Sequence, residues 1–328
     1  MRSVIHETFG DPALVLTTAE RPLPEPGPGE VRIRMVLSPI HNHDLWTVRG
    51  SYGYKPALPA VGGTEALGIV DAHGEGVTAP AIGQRIVVAG VNGVWSDYFL
   101  APAARVVPIP PEIDDETACQ LIAMPLSTLM LLEDIDLSSG QWMIQNAANG
   151  AVGKLVATFG RARGIHVVNV VRRDAGIDEL AAAGIGNAVS TEQAGWEERV
   201  QAITGGQPIL RALESVGGEA ANQLMGVLAE GGALIAFGSM SGKPLEINSG
   251  HLIFKQITVR GFWGAKRSAM TERGDMARMI GELIQMATVG VLSLSVDAIF
   301  DLTDAAAAAK ASDQPGRSGK IALRGGAA

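Results

Sequence analysis

The chain has almost no cysteine: Cys119 is the single one in 328 residues. An intramolecular disulfide is therefore impossible, and so is a thiolate-rich structural zinc site. Basic runs are missing as well. Lys and Arg number 26 against 34 Asp and Glu, for a formal charge of −8, which does not suit a phosphate backbone and excludes nucleic acid as the expected partner. Long apolar runs are also absent. The most apolar stretches are short and broken by Gly, Pro or charge, so no segment qualifies as a membrane span and no membrane partner is expected. The N-terminal residues MRSVIHETFGDP carry neither the basic nor the apolar region of a secretory leader. A cytoplasmic protein is the plain expectation.

What is present is the composition of a globular enzyme, 47% apolar and 18% charged. At 328 residues the chain exceeds what one compact core usually supports, so two domains are expected. The N-terminal part is rich in Gly and Pro and in short strand-like runs: Val31–Leu37 after the turn signal PEPGPG, Leu67–Val70, and Arg85–Ala89. These predict a small β-rich domain. The character changes near Pro108–Pro111. An apolar helical pattern runs from Asp114 to Leu132, with Asp114, Asp115 and Glu116 at its start, where acids suit the helix dipole. Strands at Trp142–Gln145 and His166–Val171 then enclose a Gly-bearing turn and a helical run, Lys154–Arg163, which makes a βαβ unit. Further strands (188–190, 210–215, 232–237 and 257–261) alternate with helical segments (178–183, 196–204 and 220–228). The expected class is α/β, a doubly wound parallel sheet of roughly six strands beside the β-rich domain. A long amphipathic helix over Ala269–Val289 leads into a β/α tail that returns to the first domain. The expected division is 1–113 with 264–328, and 114–263.

The segment Gln145–Gly153 links a strand to a helix. Gly150 and Gly153 sit where small residues let backbone approach a pyrophosphate and let the helix pack on the sheet. The helix N-terminus then offers free N–H groups to phosphate. Alone, a G-x-x-G turn is equally an ordinary tight βα turn. Element order and spacing favour a dinucleotide. NAD sites carry an acid at the end of the second strand for the ribose 2′-hydroxyl, whereas here that strand runs into Arg172 and Arg173. Two guanidiniums suit a 2′-phosphate, so NADPH is the expected cofactor. A solvated surface pair is the alternative reading.

The segment Gly62–Gly68 resembles the G-H-E-x-x-G signature of zinc alcohol dehydrogenases, with Thr64 in the place of the ligand His. The upstream Cys-x-x-Asp position reads His41-Asn42-His43-Asp44, and a third ligand position falls near Met124, a poor zinc ligand. A catalytic zinc needs three protein ligands and an open position, of which His41 and His43 supply at most part. No metal is expected. Without a Lewis acid the chemistry shifts from alcohols toward conjugate reduction, where a carbonyl already activates the alkene.

Six segments carry a specific resemblance: GSYGYKPALPAVGG (50–63), Gln145–Gly153, VVRRD (170–174), Ser215–Gly218, Leu252–Lys255 and Arg260–Trp263. They closely resemble the mitochondrial-type 2-enoyl thioester reductases, in the zinc-free branch of the medium-chain dehydrogenase/reductase superfamily that also holds the NADPH:quinone reductases. The resemblance covers nearly the whole chain. It implies a Rossmann dinucleotide domain and a GroES-like catalytic domain. Tyr52 is similar to the family's active-site tyrosine. A phenol with a pKa of about 10 stays protonated at neutral pH and can donate to an enolate-like intermediate. By the same resemblance Asn149, Gly150, Ala151 and Val152 form the pyrophosphate turn, and Arg172 and Arg173 the 2′-phosphate clamp. Phe237, Gly238, Ser239 and Met240 form a nicotinamide-side loop, Phe262 and Trp263 line the space beside the nicotinamide, and Lys320 reaches the cofactor. The chain departs from the family at His41, where Asn is usual, and at Met124, where a polar residue is common. These positions, with Trp263, are the candidate substrate pocket.

The implied function is zinc-independent, NADPH-dependent reduction of an activated C=C bond, with 2-enoyl thioesters of coenzyme A or acyl carrier protein as substrates. One alternative is an NADPH:quinone or alkenal/enone oxidoreductase. Another is a non-catalytic NADPH-binding protein. Either enzyme takes a small-molecule partner, an enoyl thioester, enone or quinone. Analogy with the fold adds a homodimer.

Overall fold

Strand Glu30–Pro39 shows how the N-terminal part folds: Val31, Ile33, Met35 and Leu37 alternate inward as a period of two requires. In the computed structural model, which describes residues 1–326, this strand is the middle of a seven-stranded sheet. Glu65–His73 pairs with it antiparallel, followed outward by Arg85–Ala89 and Val107–Pro108. Lys320–Arg324 pairs with its C-terminal end, and Val296–Asp301 lies outside that strand. Tyr98–Pro102 pairs with its N-terminal half. A three-stranded sheet, Thr17–Glu20, Arg2–His6 and Ala60–Val61, completes the layer. Val4, Ile33, Met35, Trp95, Leu302 and Leu323 share one core. The C-terminal tail thus returns to the β-rich part, as the sequence leads one to expect.

The second sheet is parallel throughout and runs in the order Ala188–Ser190, His166–Val171, Trp142–Gln145, Ile209–Glu214, Ala233–Ala236, Thr258–Gly261. Helices cover both faces, so its inner strands are nearly continuous apolar runs. Ile144, Val168, Ala212 and Leu234 are fully buried. Strand order reverses at Trp142–Gln145, and ligands of such sheets bind beyond the carboxyl ends of the strands at that point. This is the doubly wound Rossmann arrangement.

Two expectations need correction. The single helix over Asp114–Leu132 is two, Asp115–Ala118 and Ala123–Asp134. The backbone N–H groups of Ile122 and Ala123 are taken by the Glu65 carboxyl (2.8 Å each), so a new helix starts there. The helix over Ala269–Val289 is likewise two, Gly264–Met270 and Arg273–Thr288, with Thr271 extended at the break.

The division also falls later than 113/114 and 263/264. One unit is Met1–Leu126 with the residues from Ala277 onward, and the other is Ser127–Met276. Side chains explain both shifts. Gln120 donates to the carbonyls of Leu294 and Ser295, and Glu116 accepts from Val296, tying this stretch to the β-rich unit. Arg267 pairs with Asp134, and a Cβ on Gly264 would lie 2.3 Å from Ser127 Oγ, so this stretch belongs with the parallel sheet. No helix among the described residues is long and apolar enough to cross a membrane.

Candidate functional site

In the β-rich unit the site is built on a short helix, Asn42–Arg49. The His41 N–H at its start donates to Asp44 Oδ2 (2.9 Å), and Gly50, left-handed at φ 73°, ends it. Behind Gly50 the backbone N–H groups of Ser51 and Tyr52 both return to the Trp46 carbonyl. Tyr52 therefore folds back over the helix, with its ring 5.8 Å from that of His43. This helix was not expected from the sequence. Asp three residues after the cap and Gly just past Arg49 are the signals that mark it.

Gly62 and Gly63 are fixed by packing. A Cβ on either would come within 2.3 Å of the buried Trp95 ring. The pair delivers Thr64 and Glu65 to the helix. Thr64 Oγ1 donates to Asp44 Oδ1 and meets His43 Nε2, each at 2.7 Å. Glu65 is fully buried, with Oε2 2.6 Å from His41 Nε2 and Oε1 accepting from Ile122 and Ala123. Burial pushes the Glu65 carboxyl up to about 8, against the two backbone donors that lower it. Burial also holds His41 well below the ordinary histidine value, helped by the positive charges of Lys320 and His43. Both directions favour an uncharged pair at neutral pH, with Glu65 donating to His41. The other ring nitrogen, His41 Nδ1, is buried without a partner among the described residues.

Lys320, at the start of its strand, is lowered to about 8 by desolvation and then by Arg317, while Asp44 and Glu65 pull it up. Its titratable neighbours are thus Arg317 and the carboxyls of this cluster. Met124 directly follows Ala123, whose N–H is held by Glu65. His41, Thr64 and Met124, the positions matching the zinc ligands of alcohol dehydrogenases, are linked in this way through Glu65 and its neighbours. Among the described residues no group of three or more His, Cys, Asp or Glu side chains is placed to hold a metal ion.

In the parallel-sheet unit Gly150 caps the helix Ala151–Ala162. The first N–H groups of that helix have no intrahelical acceptor. A Cβ on Gly153 would lie 2.5 Å from the Ala148 carbonyl oxygen, so only glycine lets helix and strand approach this closely. Gln145 clamps the turn, donating to Gly153 O and to Asn169 Oδ1 at 2.7 Å each. The Asn149 side chain is drawn onto Glu179 (2.9 Å), leaving the turn to the backbone of Gly150, Ala151 and Val152. This geometry fits a pyrophosphate cradled by main-chain donors.

Arg172 and Arg173 are exposed where strand His166–Val171 ends, and neither forms an ion pair among the described residues. The adjacent Asp174 carboxylate accepts from Gln193 Nε2 (2.7 Å).

The loops after the last two strands lie side by side. Phe237 and Phe262 stack with centroids 6.0 Å apart. Gly238 backs onto the Ser215 carbonyl, Ser239 follows it, and Met240 N–H bonds that same carbonyl while its side chain is exposed. Trp263 caps the helix Gly264–Met270 and is 44% exposed.

Residue-level reading missed His43, Asp44 and Glu65 as one network, and also Glu214. The buried Glu214 accepts from Asn146, Val216 and Gly217, shaping the end of a central strand beside the turn. The available signal was chemical: a carboxylate inside an apolar strand must be paired.

Comparison with known proteins gives two family models, zinc-binding dehydrogenase over residues 151–282 and alcohol dehydrogenase GroES-like domain over 27–111. The mitochondrial enoyl-[acyl-carrier-protein] reductase of Arabidopsis thaliana is 31% identical over 306 residues, 91% of this chain and 81% of the relative. Among solved structures, Escherichia coli quinone oxidoreductase complexed with NADPH superposes with a TM-score of 0.89 at 24% identity, covering 99% of this chain and all of that one. The mitochondrial 2-enoyl thioester reductase heterodimer of Candida tropicalis gives 0.83 at 22% identity, covering 98% and 99%. The chain belongs to the medium-chain dehydrogenase/reductase superfamily, in the family of the mitochondrial-type enoyl-[acyl-carrier-protein] reductases.

Proposed function

We propose that this protein is an NADPH-dependent reductase of activated carbon–carbon double bonds, acting on 2-enoyl thioesters without a metal. The observation that carries the reading is the donor set at the three zinc-equivalent positions. His41 is committed to Glu65, Thr64 to Asp44 and His43, and Met124 is not among the side chains that zinc sites use. With no Lewis acid to bind an alkoxide, a substrate already activated by its own carbonyl is the one this site suits.

The main-chain donors of Gly150, Ala151 and Val152 would hold the pyrophosphate. Arg172 and Arg173 would hold the 2′-phosphate by charge-assisted bonds. The loops Phe237–Met240 and Phe262–Trp263 would serve the nicotinamide. When bound, the cofactor supplies hydride to the β-carbon. Tyr52 holds the proton destined for the α-carbon, and a preorganised donor at the carbonyl oxygen stabilises the charge that develops there. In the β-rich unit His41 and Met124 would bear on the acyl group.

The test is NADPH oxidation with enoyl thioesters, alkenals and quinones as acceptors. Tyr52→Phe is expected to cut kcat by about 10²–10⁴-fold, as removal of a positioned proton donor does, and to leave NADPH affinity unchanged. Unchanged turnover would remove Tyr52 from the mechanism. Preference for a quinone over every thioester would move the chain to the quinone reductases. The expected homodimer belongs to the same reading and is supported by the two-chain assembly of the Candida tropicalis enzyme. Light scattering checks it.

A further inference from the structure

Hydrogen-bond bookkeeping around Thr64 assigns the proton on a neighbouring histidine. A hydroxyl has a single hydrogen, and an ionised carboxylate only accepts. Thr64 Oγ1 donates to Asp44 Oδ1 (2.7 Å), so it accepts from His43 Nε2, also at 2.7 Å. Asp44 Oδ1 lies 3.5 Å from the same nitrogen and favours a proton there too. Asp44 itself is buried and has its second oxygen occupied by the His41 N–H. His43 is thereby locked with Nε2 protonated, and Nδ1 is the nitrogen at which its proton count changes.

The ring has two ring neighbours, His41 stacked on it at 5.0 Å and 13°, and Tyr52 tilted against it at 5.8 Å and 31°. The His43 side chain is 19% exposed, whereas His41 is 1% exposed and tied to Glu65. The charged and titratable groups around it are Asp44 on its own helix, Glu65 on the adjacent strand, His41, Tyr52 and, acting through His41, Lys320. Of the two histidines, only His43 both touches the tyrosine and reaches water.

We propose that His43, oriented by Thr64 and Asp44, is the positioning residue that reprotonates Tyr52 after each turnover. This rests on the reductase reading above. In the cycle, the phenol O–H bond of Tyr52 breaks as the proton goes to the substrate α-carbon, where the electron pair of the former double bond forms the new C–H bond. Hydride from NADPH has formed the bond at the β-carbon. The phenolate then takes the Nδ1 proton of the His43 imidazolium, directly or through one water, leaving the neutral ring with its Nε2–H on Thr64, and Nδ1 regains a proton from solvent. The sum is one hydride and one proton per alkene. Thr64, at a position aligned with a metal ligand in alcohol dehydrogenases, here orients the proton donor instead.

The experiment compares wild type, His43→Gln, Thr64→Val and the double variant His43→Gln/Tyr52→Phe. It reads kcat against pH with crotonyl-coenzyme A as probe, NADPH affinity by fluorescence, and the histidine tautomer by ¹⁵N NMR. Glutamine can still donate to Thr64 but cannot shuttle a proton. His43→Gln is expected to lower kcat by about 10²-fold, the lower end for proton-transfer groups. It is expected to remove one ionisation from the kcat profile and to leave NADPH affinity intact. The double variant is expected to be no slower than Tyr52→Phe alone, because the two act in series. Thr64→Val is expected to release the tautomer lock, so that Nδ1–H signal appears. Wild-type turnover and pH profile in His43→Gln, or an Nδ1–H tautomer in the resting protein, would overturn the relay while the reductase reading stands. Wild-type protein that reduces no activated alkene sinks both.

Discussion

Replacing Glu65 by alanine is the sharpest probe of the β-rich unit. The side chain is fully buried and serves three partners, the N–H groups of Ile122 and Ala123 and the Nε2 of His41. Alanine orphans all three. Each buried polar group left unsatisfied costs about 1–3 kcal/mol, partly recovered if water enters the cavity, so a net loss of about 3–6 kcal/mol is expected. In a unit of this size each kcal/mol moves Tm by roughly 2–4 °C, so melting should fall by about 6–24 °C. Glu65→Gln keeps an oxygen for the two backbone donors and an N–H for His41, and should stay within about 1 kcal/mol of wild type. The two variants differ in pH dependence as well. The folded carboxyl is raised to about 8 by burial, so the folded state holds this proton where the unfolded chain has lost it. The associated stability is complete below the ordinary carboxylate value and disappears as pH rises through about 8. Wild-type Tm should therefore decline more steeply than that of Glu65→Gln between the ordinary carboxylate value and about pH 8, and level off above it. Calorimetry measures the shifts, and amide exchange at Ile122 and Ala123 localises them. An alanine variant as stable as wild type, or a glutamine variant as damaged as alanine, would refute the assignment.

At the end of strand His166–Val171, Arg172→Ala and Arg173→Ala should each raise the NADPH Kd by about 10–100-fold, the worth of a charge-assisted contact. Affinity for NADH should not move, and fluorescence titration with both cofactors decides. Gly153→Val places side-chain atoms against the Ala148 backbone, where a Cβ alone would already be at 2.5 Å. It should cost about 1–3 kcal/mol of stability and weaken NADPH binding, as melting and titration would show. Exhaustive chelation should leave turnover unchanged. Activity lost to a chelator and restored by zinc would overturn the metal-free reading.

Much of the parallel sheet was legible because local signals and tertiary packing agree there. Strands Trp142–Gln145, His166–Val171 and Ala188–Ser190 and helix Trp196–Thr204 fall where the hydrophobic pattern puts them. The two long helices were misread because their breaks come from distant partners. Glu65 captures the N–H groups of Ile122 and Ala123 from far along the chain, and no periodicity records that. The turn glycines and the arginine pair could be picked out in advance because a βα turn is a local object whose chemistry follows from its own few residues.

Residue order alone thus determined the class of fold, the glycines at the turn, the arginine pair and the loss of ligand residues at Thr64 and Met124. These depend on spacing and residue type, which a linear chain displays. Only the tertiary structure decided that His43, Thr64 and Asp44 form one chain of hydrogen bonds, that Glu65 is buried against His41 with its carboxyl pushed up by burial, and that the Tyr52 ring lies beside that of His43. Proton positions and shifted carboxyls arise from desolvation and from contacts between segments distant in sequence, and those come into being only when the chain closes on itself.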